Sequence, residues 1–390
     1  MIYESEYIYT QLKEIPDISS EEEFIKYLKD NDVNDERLLE SFSNLRLGLG
    51  ESFKLDNFSF LFGNGCSVYA GSKSTLDFRI KDVIVNNEFE DIEDVLHSIS
   101  NLGMESQLNA LITIRDYYQL TSDSKKASKV AKLIAQVKNI LLNDFVNSID
   151  YSKLSYHEMF LLKLRAFGCL SKVKIYTTNY DLAFEYMLDK LSIEYSNGFS
   201  GFVNRKFDPK ALQNKELTEL IKVHGSVNWF YDEYDNVIKE FQPRFINNQV
   251  VIDESKQVLI YPTSEKLYQT YNEPYSELMR NMLNNFESNR NVIIVLGYKY
   301  GDEHINDILY KAVANPNNIF YFFDYNNDNC DFIKKMKSLS NDIHNINILC
   351  GKFLASFETF VKYILPATAE KTDQERALEL LQKVLNEHEK

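Results

Sequence analysis

Short, unbroken apolar runs recur along this chain, and helical periodicity fills several of the gaps between them. The runs are Phe58–Phe62, Val173–Thr177, Leu220–Val223, Val258–Tyr261, Val292–Leu296, Ile319–Phe323 and Ile346–Leu349. A strand covered on both faces has no polar side to display, so it reads as a continuous apolar run. Helical stretches lie at Leu182–Leu191, Tyr275–Phe286 and Ile305–Val313. Strands that alternate with helices favour parallel pairing, with helices on both sheet faces. The expected fold class is therefore α/β, a Rossmann-like doubly wound parallel sheet. Such sheets take ligands at the carboxyl ends of their strands, near the point where strand order reverses.

The sheet pattern occupies residues 56–366. Residues 1–55 are charged and read as a helical N-terminal extension, with a helix start at Ser19-Ser20-Glu21-Glu22-Glu23. Residues 83–170 read as a large helical insertion of four or five helices. There Val130, Leu133, Ile134, Val137, Ile140, Leu141 and Phe145 recur at three- and four-residue steps. Lys125, Lys126, Lys129, Lys132 and Lys138 fit its solvated side. Residues 367–390 read as a C-terminal amphipathic helix, with Ala377, Leu381, Val384 and Leu385 on its apolar side.

Net charge is −15, which disfavours direct nucleic-acid binding as the main task. The four cysteines are scattered and none forms a Cys-x-x-Cys pair, so neither a zinc site nor a disulfide framework is expected. The start of the chain lacks the pattern of a secretory signal, and no apolar run is long enough to span a membrane. A cytoplasmic location is expected.

Five segments follow or lie near the strand ends. Gly63-Asn64-Gly65-Cys66-Ser67 is a glycine turn after a strand, which brings backbone amides close to a pyrophosphate; it also suits a plain tight turn, and Val68 stands where the full dinucleotide fingerprint has a third glycine. Asp77-Phe78-Arg79 offers an aromatic face and a phosphate partner, or is an ordinary loop. In Thr177-Thr178-Asn179-Tyr180-Asp181, the Asn179 amide suits a water or a sugar hydroxyl, while Asn179 and Asp181 equally suit helix capping. His224-Gly225-Ser226 places a histidine at a strand end, suited to accept a proton near neutral pH or to pack. Gly297-Tyr298-Lys299-Tyr300-Gly301-Asp302 follows Val292–Leu296; Asp302 also suits capping of the next helix. Cys66 has no evident base partner, so a nucleophilic role is not expected.

Taken in order, these segments resemble the sirtuin family, whose glycine turn, Asp-Phe-Arg loop, Thr-x-Asn-x-Asp motif and His-Gly have counterparts here. The resemblance covers residues 55–355 and is closest to the bacterial sirtuin-like branch of anti-phage defence. It departs from the deacylase pattern at Asn64, in the missing four-cysteine module, and in the helical block between Arg79 and Thr177. The resemblance implies an NAD+ hydrolase that splits the nicotinamide–ribose bond without a metal. Asn179 and His224 are the implied catalytic residues. Gly63, Asn64, Gly65, Cys66, Ser67, Asp77, Phe78, Arg79, Thr178, Asp181, Gly297, Tyr298 and Asp302 are the implied NAD+ contacts, Asp181 meeting the carboxamide. Asp324 or Asn326 is the candidate for the adenosine ribose. The implied assembly is a homo-oligomer, regulated by a hexameric DNA-translocating ATPase. The competing readings are an NAD-dependent deacylase or ADP-ribosyltransferase, and a non-catalytic NAD+ or ADP-ribose sensor.

Overall fold

A strand order that reverses beside the first central strand fixes where a ligand site can lie. The computed structural model describes residues 2–4, 26, 45, 47–52, 57–73, 92–102, 104–140, 148–213, 216–232, 234–235, 237–251, 257–259, 273–288, 290–326, 330–341, 343–352 and 354–366. Among these, eight strands form one sheet. They are β1 (Ile2–Glu4), β2 (Asn57–Phe62), β3 (Val173–Thr177), β4 (Tyr195–Ser196), β5 (Thr218–Lys222), β6 (Asn291–Leu296), β7 (Ile319–Asp324) and β8 (Ile346–Cys350). Their order is β1-β8-β7-β6-β2-β3-β5-β4, and every pair is parallel. From β2 the chain builds outward through β3 to β5. It then returns to β6 and builds the other way. The reversal falls between β2 and β6, as a doubly wound α/β fold requires.

Side chains alternate between two cores. Phe58, Phe60 and Phe62 enter one apolar cluster, and Leu61 enters the other. All six residues of β6 are buried, which is why that segment reads as a run without polar interruption. The α-helices with seven or more described residues are α1 (Glu93–Ile99), α2 (Met104–Leu120), α3 (Ser124–Ile140), α4 (Ser155–Ala166), α5 (Ala183–Lys190), α6 (Tyr275–Phe286), α7 (Glu303–Val313) and α8 (Asp331–Leu339). Within the expected insertion, α1 to α3 close around their own cluster, which includes Leu108, Leu111, Val130, Leu133 and Val137. Ile149, Leu154, Phe160 and Leu164 instead pack into the main core, so α4 belongs with the sheet.

Two expectations change. Ile2–Glu4, inside the segment read as helical, is a strand that pairs with Ile348–Cys350 at the sheet edge. The run at Val258–Tyr261 does not join the parallel sheet. Its described residues, 258 and 259, belong to a strand Gln257–Leu259 that pairs antiparallel with Gly225–Asp232 in a second, five-stranded sheet that also holds Val237–Glu240, Arg205–Phe207 and Phe199–Ser200. A parallel partner needs a long crossover, and hairpins occupy this stretch instead. Trp229 is fully buried in that sheet, its ring 4.8 Å from Phe199. The C-terminal helix expected at 367–390 lies outside the described residues.

Candidate active site

The register of the large sheet brings the motifs to one edge. Phe62 pairs with Leu296 on one side and Thr177 on the other, and Thr177 pairs with Lys222. The glycine turn, the Asn179 loop, the His224 turn and the Gly297 turn therefore leave neighbouring strand ends at the same level. Asp77, Phe78 and Arg79 lie outside the described residues.

The two glycine turns are locked together. Gly63 N–H donates to Leu296 O at 3.1 Å, and Gly65 N–H donates to Gly297 O at 3.0 Å. A Cβ on Gly63 would fall 2.4 Å from Gly297 O, and one on Gly65 would fall 2.7 Å from Gly297 Cα. Gly297 has φ +68°, and a Cβ there would meet Cys66 N at 2.7 Å. The glycines thus permit turn-to-turn approach. Cys66 and Ser67 amides donate within the turn, to Gly63 O and Asn64 O. The turn's amides are thereby directed into the scaffold, except Asn64 N–H, which makes no hydrogen bond among the described residues. The Asn64 side chain turns away, bonded to Ser72 Oγ and Lys73 O. Cys66 is fully buried, its thiol donating to Leu296 O at 3.3 Å, and burial pushes that thiol well above its ordinary pKa. It is part of the core.

Asn179, Ser67 and Asp181 form a buried polar cluster. Asn179 is 5% exposed; its amide N–H donates to Thr177 Oγ1 at 3.0 Å and its Nδ2 to Ser67 Oγ at 3.3 Å. Its Oδ1 is buried and has no partner among the described residues. Asp181 Oδ1 accepts from Ala183 N–H at 2.9 Å, in the first turn of α5. Burial raises its carboxyl above the usual range, opposed by Lys222, by that amide and by the side chains of Ser67 and Asn179. Thr178 N–H donates to Phe62 O at 3.0 Å, joining this loop to β2.

His224 is 4% exposed and lies two residues beyond the end of β5. Gly225, at φ +93°, turns the chain into the second sheet. The His224 ring lies 6.5 Å from the Tyr180 ring and 5.6 Å from the His304 ring at the start of α7. The Gly297–Asp302 segment is largely scaffold. Tyr298 OH bridges to the backbone of Asp302, Tyr300 OH donates to Phe323 O at 2.9 Å, and both rings sit in the second core. Asp302 O accepts from Ile305 and Asn306 N–H and so opens α7. Asp324 is buried at the end of β7, and Asn326 is exposed just beyond it.

Sequence reasoning missed Lys222, Glu185 and His304. Lys222 did carry a signal: it is the one charged residue of the apolar run Leu220–Val223. It is 2% exposed, its Nζ 2.9 Å from Glu185 Oε1. A second buried histidine, His157, shares a hydrogen bond with Tyr69 OH at 2.7 Å between its Nδ1 and that hydroxyl. Burial lowers its pKa to about 3. Among the described residues, no group of three or more His, Cys, Asp or Glu side chains is arranged to hold a metal, and no helix is long and apolar enough to cross a membrane.

Residues 173–346 match the SIR2-like domain family, which supports the resemblance read from the motifs. No curated protein matches the chain. Among solved structures, a Sir2 homolog in complex with NAD is similar at 10% identity and a TM-score of 0.37, covering 81% of this chain and 93% of that one. An ADP-ribose complex of a mutant Sir2 homologue is similar at 10% identity and a TM-score of 0.36, covering 81% and 95%. Sir2Tm bound to a propionylated peptide is similar at 12% identity and a TM-score of 0.36, covering 82% and 95%.

Proposed function

We propose that this chain is an NAD+ hydrolase that cleaves the nicotinamide–ribose bond to give nicotinamide and ADP-ribose. The observation that carries the reading is Asn179 Oδ1. Buried polar atoms normally have a partner, and this one, in the loop that follows β3, has none among the described residues. A water or a ribose hydroxyl is the group it suits. The SIR2-like match over residues 173–346 supports the coarser part of the reading, an activity that uses NAD+.

In this reading the C1′–N bond breaks and its electron pair neutralises the nicotinamide ring. Little acid assistance is needed, because the leaving group starts as a cation. Water adds to C1′, and its proton passes to His224. Asn179 orients the water and the ribose hydroxyls. Asp181 accepts from the carboxamide. Asn64 N–H and the exposed edge of the glycine turn meet the pyrophosphate, while Asp324 meets the adenosine ribose. Holding the ribose and water in line is where binding lowers the barrier.

The wider role follows from the motif resemblance alone. It is an NAD-depleting anti-phage effector, cytoplasmic and homo-oligomeric, restrained or triggered by an ATPase partner. Light scattering of the purified chain, and co-purification with an ATPase encoded beside it, test that extension. The catalytic reading is tested by incubating the protein with NAD+ and resolving products by mass. Nicotinamide and ADP-ribose from the wild type, and neither from Asn179→Ala, is the expected result. Equal turnover by both proteins rules the assignment out.

A further inference from the structure

The Asn179 loop and the His224 turn come from different strands, yet their relative position decides whether base and water can meet. Two backbone bonds join them, Val223 N–H to Thr177 O at 3.0 Å and Val227 N–H to Tyr180 O at 3.1 Å. Between these lies the ammonium of Lys222. It donates to Tyr180 O at 3.2 Å, to Asp181 O, and to Ser226 Oγ at 2.9 Å, and it pairs with Glu185. One buried cation therefore touches the Asn179 loop, the His224 turn and α5 at once. A lysine stem loses much rotamer freedom when fixed this way, and burying its charge is costly. An apolar side chain would pack in β5 without either cost.

The geometry points to Lys222 as a positioning residue for the reaction, holding the Asn179 loop and the His224 turn in register and keeping a cation beside the Asp181 carboxylate. This rests on the NAD+ reading above. Several groups face Asp181: Lys222 from β5, Glu185 from α5, Cys66 and Ser67 from the glycine turn, Tyr151 from the segment before α4, and Asn179 beside it. Lys222 is the only cation among them. Without it, burial and the neighbouring acids raise the Asp181 carboxyl further, so a larger share is protonated near neutral pH and cannot accept from a carboxamide.

The test compares wild type with the pair Lys222→Met and Glu185→Leu. Replacing a buried ion pair by apolar groups of similar volume commonly leaves a fold intact. Melting curves check that. The expected result is a folded pair variant whose kcat falls on the order of 100-fold, the size of effect that a small misplacement of reacting groups produces. Its KM for NAD+ should also fall as pH rises from about 6 to about 9, because the carboxylate is restored, while the wild-type KM stays level. A folded pair variant with wild-type kcat and a wild-type pH profile overturns the proposal. If the pair variant does not fold, Lys222→Arg keeps the charge and displaces the donors. Lowered kcat at unchanged KM then supports the tether, and wild-type kcat overturns it. A wild type that neither binds nor cleaves NAD+ removes the NAD+ reading instead. In that case the NMR signals of the His224 imidazole and the Asn179 amide decide: they shift in the pair or Arg variant if Lys222 holds the loops, and stay in place if it does not.

Discussion

Asn179 Nδ2 donates to Ser67 Oγ at 3.3 Å, and that bond joins the loop after β3 to the glycine turn after β2. It leaves Oδ1, at the other end of the Asn179 amide, buried and with no partner among the described residues.

Asn179→Ala should therefore affect chemistry far more than folding. The side-chain bonds to Ser67 and to the Asp181 carboxyl are lost, each worth about 1 kcal/mol. Turnover of NAD+ should fall on the order of 100- to 1000-fold, as when a preorganised polar contact is removed. Steady-state kinetics beside urea denaturation would show the contrast. A large stability loss with matching activity loss would mark Asn179 as structural.

Gly297→Ala should do the opposite. The residue has φ +68° and its Cβ would meet Cys66 N at 2.7 Å, with backbone on both sides. Strain of this kind costs about 1–3 kcal/mol, and relieving it means separating the two glycine turns. Chemical denaturation should report the loss, and NAD+ affinity should fall with it. Unchanged stability would mean that the turns do not press on one another.

The expected sheet was legible because its strands are buried on both faces; β6 and β7 could be read almost to the residue. The edge strand Ile2–Glu4 was not, because three residues carry no period and its pairing with Ile348–Cys350 is tertiary. The antiparallel placement of Gln257–Leu259 was hidden for a similar reason: an apolar run does not announce its partner's direction. At the candidate site, residue types and order picked out loops that the sheet register brings to one edge. Backbone use was not legible. The glycines of the turn admit another turn, which a sequence cannot tell from admitting a phosphate. Lys222 and Glu185 lie 37 positions apart in separate elements, and only the fold brings them to 2.9 Å.

His157 gives the protein an acid-sensitive point away from the chemistry. Its pKa is about 3 in the fold and 6.5 ordinarily, with burial as the cause. The folded form therefore holds a neutral ring, and the contribution is complete above pH 6.5 and lost as pH falls towards 3. At pH 5 the loss is about 2 kcal/mol. His157→Phe fits among Phe184 and Phe357 and removes the titration, at the expense of the Tyr69 hydrogen bond. Denaturation midpoints between pH 4.5 and 7 should decline less in the variant than in the wild type; parallel decline would place the sensitivity elsewhere.

Thiol labelling should follow burial. Cys330 is half-buried, whereas Cys66, Cys169 and Cys350 are buried, and burial raises the Cys66 and Cys169 thiols. Iodoacetamide near neutral pH should modify Cys330 first and Cys66 only on unfolding, read by peptide mass. Early labelling of Cys66 in the native protein would contradict its place in the core.

The contact between the glycine turn and the end of β6 also sets a schedule. Cys66 and Leu296 are 230 residues apart, yet they are hydrogen-bonded partners. During synthesis the first half of the crevice leaves the ribosome long before the second half is made. Non-local contacts of this span form late and slowly. Under the proposed activity, a growing or truncated chain lacking β6 has the residues of the glycine turn and the Asn179 loop but not the Gly297 turn that locks against them. Turnover of NAD+ would then begin only with finished molecules.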